Sequence, residues 1–185
     1  MKANFSVETA QKDDYSAIRK VIAESYANQE TNSDGDEVDM VDRLRFYDDF
    51  HENFEVVAKD HHEIIGHALM IPVTIRSVNH RHKIVSIVEV AVPEKYRHQG
   101  VGQGLIYELE SRAQLAGFEA VSAVDNTDFF YELGYVAAEN FNIFSTMPVD
   151  ISANLIKPLA DGSLFNKSGK IYYPEEFYGI RRLES

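Results

Sequence analysis

The sequence predicts an α/β fold of the α+β kind: one domain with a mixed, mostly antiparallel sheet flanked by helices. Three observations predict it. Residues 54–59 and 64–75 are apolar β-type runs separated only by the polar turn Asp60-His61-His62-Glu63, which makes them an antiparallel pair. Residues 84–124 read as strand, glycine-rich loop, helix and strand, and a unit of that length makes its two strands parallel neighbours with a right-handed crossover. Upstream, two stretches carry apolar residues at helical spacing. A chain of 185 residues is long enough for one domain with a substantial core.

Taken in order, Phe5 and Val7 alternate with polar neighbours and predict an edge strand. Asp13 or Asp14 caps a helix to about residue 27, with Tyr15, Ile18, Val21, Ile22 and Tyr26 on one face. Residues 28–37 form an acidic loop, and Asp34, Asp36 and Glu37 are expected to be solvated surface. A second helix spans 38–50 through Val38, Val41, Leu44 and Tyr47. Pro72 sits inside the run 64–75, so one side of its pairing must be broken there. A charged loop over 76–82 leads to the central strand, 84–92, which stops at Pro93. The helix over 101–116 turns Leu105, Ile106, Leu109 and Ala113 inward and ends at Gly117 in the left-handed cap position. A buried strand, 120–124, a short helix, 125–133, and a strand from Tyr135 through Phe144 complete the core of residues 1–147, with 148–185 as a C-terminal extension.

Composition narrows the function. Net charge is −12 and the pI is near 4.9, which argues against nucleic acid or an anionic membrane as partner and suits either a cationic substrate such as an amine or simply an acidic, solubilising surface. Without cysteine there is no disulfide, thiolate metal site or thiol nucleophile. The N-terminal stretch lacks the apolar core of a signal peptide, and a cytoplasmic protein is expected. His62 and His67 resemble H-E-x-x-H with the second histidine one residue late, on a segment that reads as strand, so no metal site is expected.

The stretch 90–104, VAVPEKYRHQGVGQG, organises the rest. A helix N-terminus leaves its first N–H groups without partners and carries roughly half a positive charge. Gly100 and Gly102 remove side chains that would hold an anion away, and Arg97 adds a cation able to grip phosphate oxygens through two parallel hydrogen bonds. The pattern predicts a diphosphate cradle at a strand–loop–helix junction. It is not a P-loop, which needs a lysine after the last glycine. Nor is it G-x-G-x-x-G, because Leu105 stands at the third glycine position, and a nucleotide-binding regulatory domain is correspondingly disfavoured.

Arg97, Gly100 and Gly102 after a strand ending Val-Ala-Val resemble the acetyl-coenzyme A signature R-x-x-G-x-G of the GCN5-related N-acetyltransferase (GNAT) superfamily. The resemblance continues at Phe129-Phe130-Tyr131-Glu132-Leu133-Gly134-Tyr135, similar to the family's F-Y-E-x-x-G-F. In the tail, Leu155-x-Lys157-Pro158-Leu159 and Gly169-Lys170-Ile171-Tyr172-Tyr173-Pro174 are similar to the C-terminal extension of one bacterial subgroup of predicted acetyltransferases. It implies a single GNAT-like domain, acetyl-CoA as cosubstrate and an amine as acceptor. It also implies cofactor contacts at Val90, Ala91, Val92, Arg97, His98, Gln99, Gly100, Val101, Gly102 and Gln103, together with Asn126 and Phe130. A homodimer is compatible with it.

Chemistry without cysteine is direct attack of the amine on the thioester, with no covalent enzyme intermediate. It needs a base, a donor for the thioester oxygen and an acid for the leaving sulfur. Backbone N–H groups of Val90 to Val92 would supply the donor where the central strand splays from its neighbour. Glu89 is the only carboxylate in that strand, and it reads equally as the base or as a residue on a polar strand face. The resemblance implies a tyrosine acid where Phe130 stands. Tyr131 is one place late, about 100° around a helix, and reads as the acid or as packing. A catalytically weak or inactive CoA-binding sensor is the rival to the transferase.

Overall fold

β3 (Glu63–Arg76) is the axis of the sheet, and its interior is buried on both faces, as an apolar run covered by helices on either side requires. The computed structural model describes residues 2–27 and 35–179. Along one edge β3 pairs antiparallel with β4 (Arg81–Ala91), from His67 opposite Ala91 to Arg76 opposite Arg81. Along its other edge it pairs first with β2 (Glu55–Asp60) and then, over Thr74, Ile75 and Arg76, with β9 (Gly169–Tyr172). Pro72 falls in the gap between β2 and β9, where its missing N–H removes no ladder bond. The Tyr47 hydroxyl donates to the Pro72 carbonyl at 3.3 Å.

β1 (Ser6–Thr9) is the expected edge strand, antiparallel to β2. β5 (Ala120–Val124) lies parallel to β4, so the predicted crossover is present. The sheet path then runs β5, β8 (Asn154–Pro158) and β6 (Val136–Ala137), while β7 (Ile143–Ser145) pairs parallel with β9. Residues 148–185, set apart by sequence as an extension, thus contribute two strands to the sheet.

α1 (Tyr15–Tyr26) and α2 (Glu37–Leu44) cover one face. α3 (Val101–Leu115) and α4 (Thr127–Glu132) cover the other. A short α5 (Glu175–Tyr178) follows β9, and Arg43 of α2 donates to the Glu176 carbonyl at 2.9 Å. α1 begins after a 3-10 turn in which the Asp14 carboxylate accepts the Gln11 N–H, and it buries Ile18, Val21, Ile22 and Ser25. α3 buries the four predicted residues plus Val101 and Glu110, the latter paired with Lys157 at 2.9 Å. Gly117 closes it at φ 87°, with Phe118 N–H donating back to the Ala113 carbonyl at 3.0 Å.

Three boundaries differ from the sequence reading. α2 ends at Leu44 rather than near 50, because the next residues close i→i+3 turns, Tyr47 to Leu44 and Phe50 to Tyr47. Tyr47 and Asp49 are then held outside the helix by Pro72 and Lys83. β4 begins at Arg81, since Arg81 and His82 continue the ladder with β3. The strand expected through Phe144 breaks into β6, a 3-10 turn (Ala138–Phe141) and β7. Asn142, at φ 55°, redirects the chain to pair with β9. Of the acidic loop, Asp34 lies outside the described residues. Asp36 is gripped by both terminal nitrogens of Arg43, and Glu37 opens α2.

Glu55 is buried with His67 Nε2 at 2.9 Å and with Arg45, whose guanidinium contacts both carboxylate oxygens and lies over the Tyr15 ring. Burial pushes the Glu55 carboxyl up, but hydrogen bonds from His67 and Arg45 outweigh it and hold the group below its ordinary range. His67 is thus part of the core, and His62 is exposed. Among the described residues no helix is long and apolar enough to cross a membrane.

Candidate active site

The site is built by one irregularity in β4. The ladder with β3 places Leu69 opposite Glu89 and Met70 opposite Ile87, so Val88 is an extra residue, a β-bulge. Strict alternation would put Glu89 on the same side as Ile87, toward α3. The bulge flips the register, and Glu89 joins Val88 and Leu69 on the side covered by α1. The sequence read Glu89 as either base or polar-face residue; it is 3% exposed, so it is no surface residue.

The same bulge ends the pairing with β5. The β4–β5 ladder stops at Ile87 opposite Ala123, and Asp125 N–H turns instead to the Ala153 carbonyl at 3.0 Å. Beyond that point the edge of β4 facing β5 has no ladder partner among the described residues, and a cleft opens. It forms part of a cavity of about 720 Å³. Val90 and Val92 line it from β4. Tyr96, Arg97, His98, Gly100, Val101, Gly102 and Gln103 line it from the loop and first turn of α3, and Asn126, Phe129, Glu132 and Leu133 from α4.

Gly100 is the N-cap of α3 at φ 87°, and a Cβ there would meet nothing within 4 Å, so the space above it is open. A Cβ on Gly102 would stand 3.3 Å from the Phe129 ring, already tight before any larger side chain. The free N–H groups of α3's first turn therefore face a cavity into which an anionic ligand fits. Gly104 has a different reason to be glycine: a Cβ would lie 2.9 Å from the Phe5 ring.

Chemically, the distinctive group is Glu89. The Tyr26 hydroxyl donates across its carboxylate, 3.3 Å from each oxygen. Burial pushes the Glu89 pKa up to about 8; the Tyr26 hydrogen bond pulls down and the charge of Glu37 adds to the rise. Burial also raises the Tyr26 hydroxyl above its ordinary range. A carboxyl poised near neutral pH is matched to proton transfer.

The side chains of several predicted site residues do not line the cavity. Ala91 is fully buried in the core on the α1 side, and Gln99 donates to the Lys95 carbonyl on the loop surface. Phe130 packs in the core against Tyr135, ring centroids 4.9 Å apart, and it is Phe129 that faces the cavity. Tyr131 is 46% exposed and does not line the cavity, as its 100° displacement around the helix dictates. Arg97 lines the cavity, but its Nε donates to the Val92 carbonyl at 2.9 Å and its Nη2 to the Ser25 carbonyl at 2.7 Å. The two-point fork read for phosphate is therefore engaged by backbone. Sequence reasoning missed Ser25 and Phe129 and read Tyr26 as packing only. Ser25 left one signal, a polar residue seven positions after Ile18 in the apolar stripe of α1.

Residues 17–135 match the profile of the Acetyltransferase (GNAT) family. The chain belongs to the GNAT acetyltransferase family. It is 28% identical over 122 residues, 66% of this chain and 72% of the relative, to the uncharacterized N-acetyltransferase YhbS of Escherichia coli K12. Its fold matches the crystal structure of YhbS from Escherichia coli in complex with CoA at a TM-score of 0.81 and 24% identity, covering 98% of this chain and 96% of that one. A GNAT acetyltransferase from Brucella melitensis in complex with acetyl-CoA matches at 0.74 and 18% identity, covering 95% and 99%. These two likenesses establish a common fold. Phe130, where the resemblance implied a tyrosine, is a ring without a hydroxyl, buried at 3% exposure.

Proposed function

We propose that this GNAT protein moves an acetyl group from acetyl-CoA to an amine by direct attack, with Glu89 as the base. One observation carries the reading: a bulge turns a buried carboxyl, its pKa pushed up to about 8, to the α1 side of β4, one residue before Val90, where the strand starts to line the glycine-bordered cavity. The first turn of α3 at Gly100 and Gly102 would hold the diphosphate, and the free edge of Val90 and Val92 the pantetheine arm. Acetyl-CoA, when bound there, supplies an activated acyl group. Glu89 takes the proton from the attacking nitrogen, directly or through one water, and keeps the amine neutral. Backbone N–H groups of the unpaired β4 edge donate to developing negative charge without reorganising. Phe130 has no proton to give and Tyr131 points away, so protonation of the leaving group falls to solvent.

That missing acid favours a second reading, a CoA-binding sensor with little or no turnover. The two separate in one assay: free thiol released from acetyl-CoA in the presence of a panel of polyamines, amino acids, aminoglycoside-type amines and peptide N-termini. Thiol release that depends on the amine supports the transferase. Acetyl-CoA binding by calorimetry without release for any amine supports the sensor.

A further inference from the structure

Arg97 belongs to the cradle loop, yet its guanidinium reaches across to another helix. Nη2 donates to the Ser25 carbonyl at 2.7 Å and Nε to the Val92 carbonyl at 2.9 Å. The Ser25 hydroxyl donates to the same Val92 carbonyl at 3.4 Å. Ser25 is buried in the last turn of α1, where carbonyls lack intrahelical partners and a cation is favoured by the helix dipole. Together these contacts fasten the end of α1 to the end of β4. The next residue, Tyr26, is the one whose hydroxyl spans the Glu89 carboxylate. Fixing the backbone at Ser25 fixes where the Tyr26 side chain starts.

We propose that Arg97, Ser25 and Tyr26 form a strut that positions Glu89, with Tyr26 acting as a positioning residue for the base. The proposal rests on the reading of Glu89 as that base, and it gives Arg97 a second task beyond lining the cavity. The chemistry has a direction. A phenol donates to a carboxylate, so the Tyr26 hydroxyl favours the ionised, proton-accepting form of Glu89. Among the described residues facing Glu89, Glu37 at the start of α2 opposes ionisation and Leu69 of β3 is apolar. Tyr26 is the group that aids it, and Arg97 in turn acts on Tyr26. A disturbance of Arg97 in the cradle is therefore felt at the base.

The test reads Glu89 itself, without substrate. The full-length protein carrying ¹³C-carboxyl glutamate is titrated by NMR, and the Glu89 signal is identified by its loss in Glu89→Gln. In the parent it should titrate near pH 8. Tyr26→Phe, which keeps the ring, should move the midpoint up by about one pH unit, because a hydrogen bond to the charged form is lost. Arg97→Gln should move it the same way, and the double variant should shift less than the sum of the two. If Arg97→Gln does not fold, Arg97→Lys keeps the charge, loses the two-point contact and serves the same comparison. In turnover assays the acidic limb of kcat/KM should follow the Tyr26→Phe shift, with KM for acetyl-CoA within about twofold. An unchanged midpoint in Tyr26→Phe overturns the proposal, and so do fully additive shifts. A midpoint that moves as described while Glu89→Gln turns over normally supports the strut and overturns the base reading instead.

Discussion

Replacing Glu89 with glutamine should make the protein more stable at pH 8 while disabling it. The carboxyl titrates near 8 when folded and near the ordinary 4.5 when unfolded. Between those values the folded chain holds a proton that the unfolded chain has released. The unfolded state thus binds fewer protons, and stability falls as pH rises from about 4.5 to about 8. Each unit is worth about 1.4 kcal/mol, so the cost accumulates to roughly 3–5 kcal/mol by pH 8 and then stops growing, because both states are ionised. Glutamine has nearly the same shape, can still accept the Tyr26 hydroxyl and carries no charge at any pH. Denaturant titrations of parent and variant at pH 5, 6.5, 8 and 9.5 isolate the effect, since every other titrating group cancels in the difference. The variant's advantage should be small at pH 5, widen by about 1.4 kcal/mol per unit toward pH 8, and then level off. A difference independent of pH would mean that Glu89 is not held neutral by burial.

Other outcomes follow from the same geometry. Gly102→Val places a branched side chain where even a Cβ lies 3.3 Å from Phe129, and should weaken acetyl-CoA binding at least tenfold by calorimetry; unchanged affinity would remove the cradle. Tyr131→Phe should leave turnover within about twofold, since its hydroxyl is outside the cavity; a large loss would show that α4 rewinds on binding. Arg45→Met leaves the buried Glu55 carboxylate without its guanidinium partner and should cost about 3–5 kcal/mol in chemical denaturation, a loss that a merely exposed ion pair would not produce.

The legible parts were those written in local pattern. The hairpin of β2 and β3, the crossover through α3, the glycine cap at Gly117 and the broken edge at Pro72 each depend on residues close in sequence, and the structure carries all four. The glycine-lined start of α3 beside the cavity was legible for the same reason. The bulge was not, because Val88 looks like any other apolar strand residue. Its effect, turning Glu89 toward α1, emerges only when β3 and β4 are laid side by side. Arg97 lines the cavity, but its bond to the Ser25 carbonyl had no local signal, because that partner is 72 positions away. That Phe129 lines the cavity while Phe130 turns inward was not legible, because two adjacent aromatics on a helix only six residues long leave the choice of inward ring to packing, here against Tyr135. The strands of the C-terminal segment pair with β3, β5, β6 and β7, and such long-range partners have no signature in local periodicity.

If Glu89 deprotonates an amine for acetyl transfer, the pH dependence of kcat/KM for acetyl-CoA consumption must differ between the parent and Glu89→Gln. With an acceptor amine found in the panel, the parent should climb about tenfold per unit at acidic pH and level off above about 8, where the carboxyl is ionised. The glutamine variant should be slower by about 10²–10⁴-fold near neutrality, and the deficit should shrink at high pH, where the amine is already neutral. A glutamine variant whose rate and pH profile overlay those of the parent would exclude Glu89 as the base.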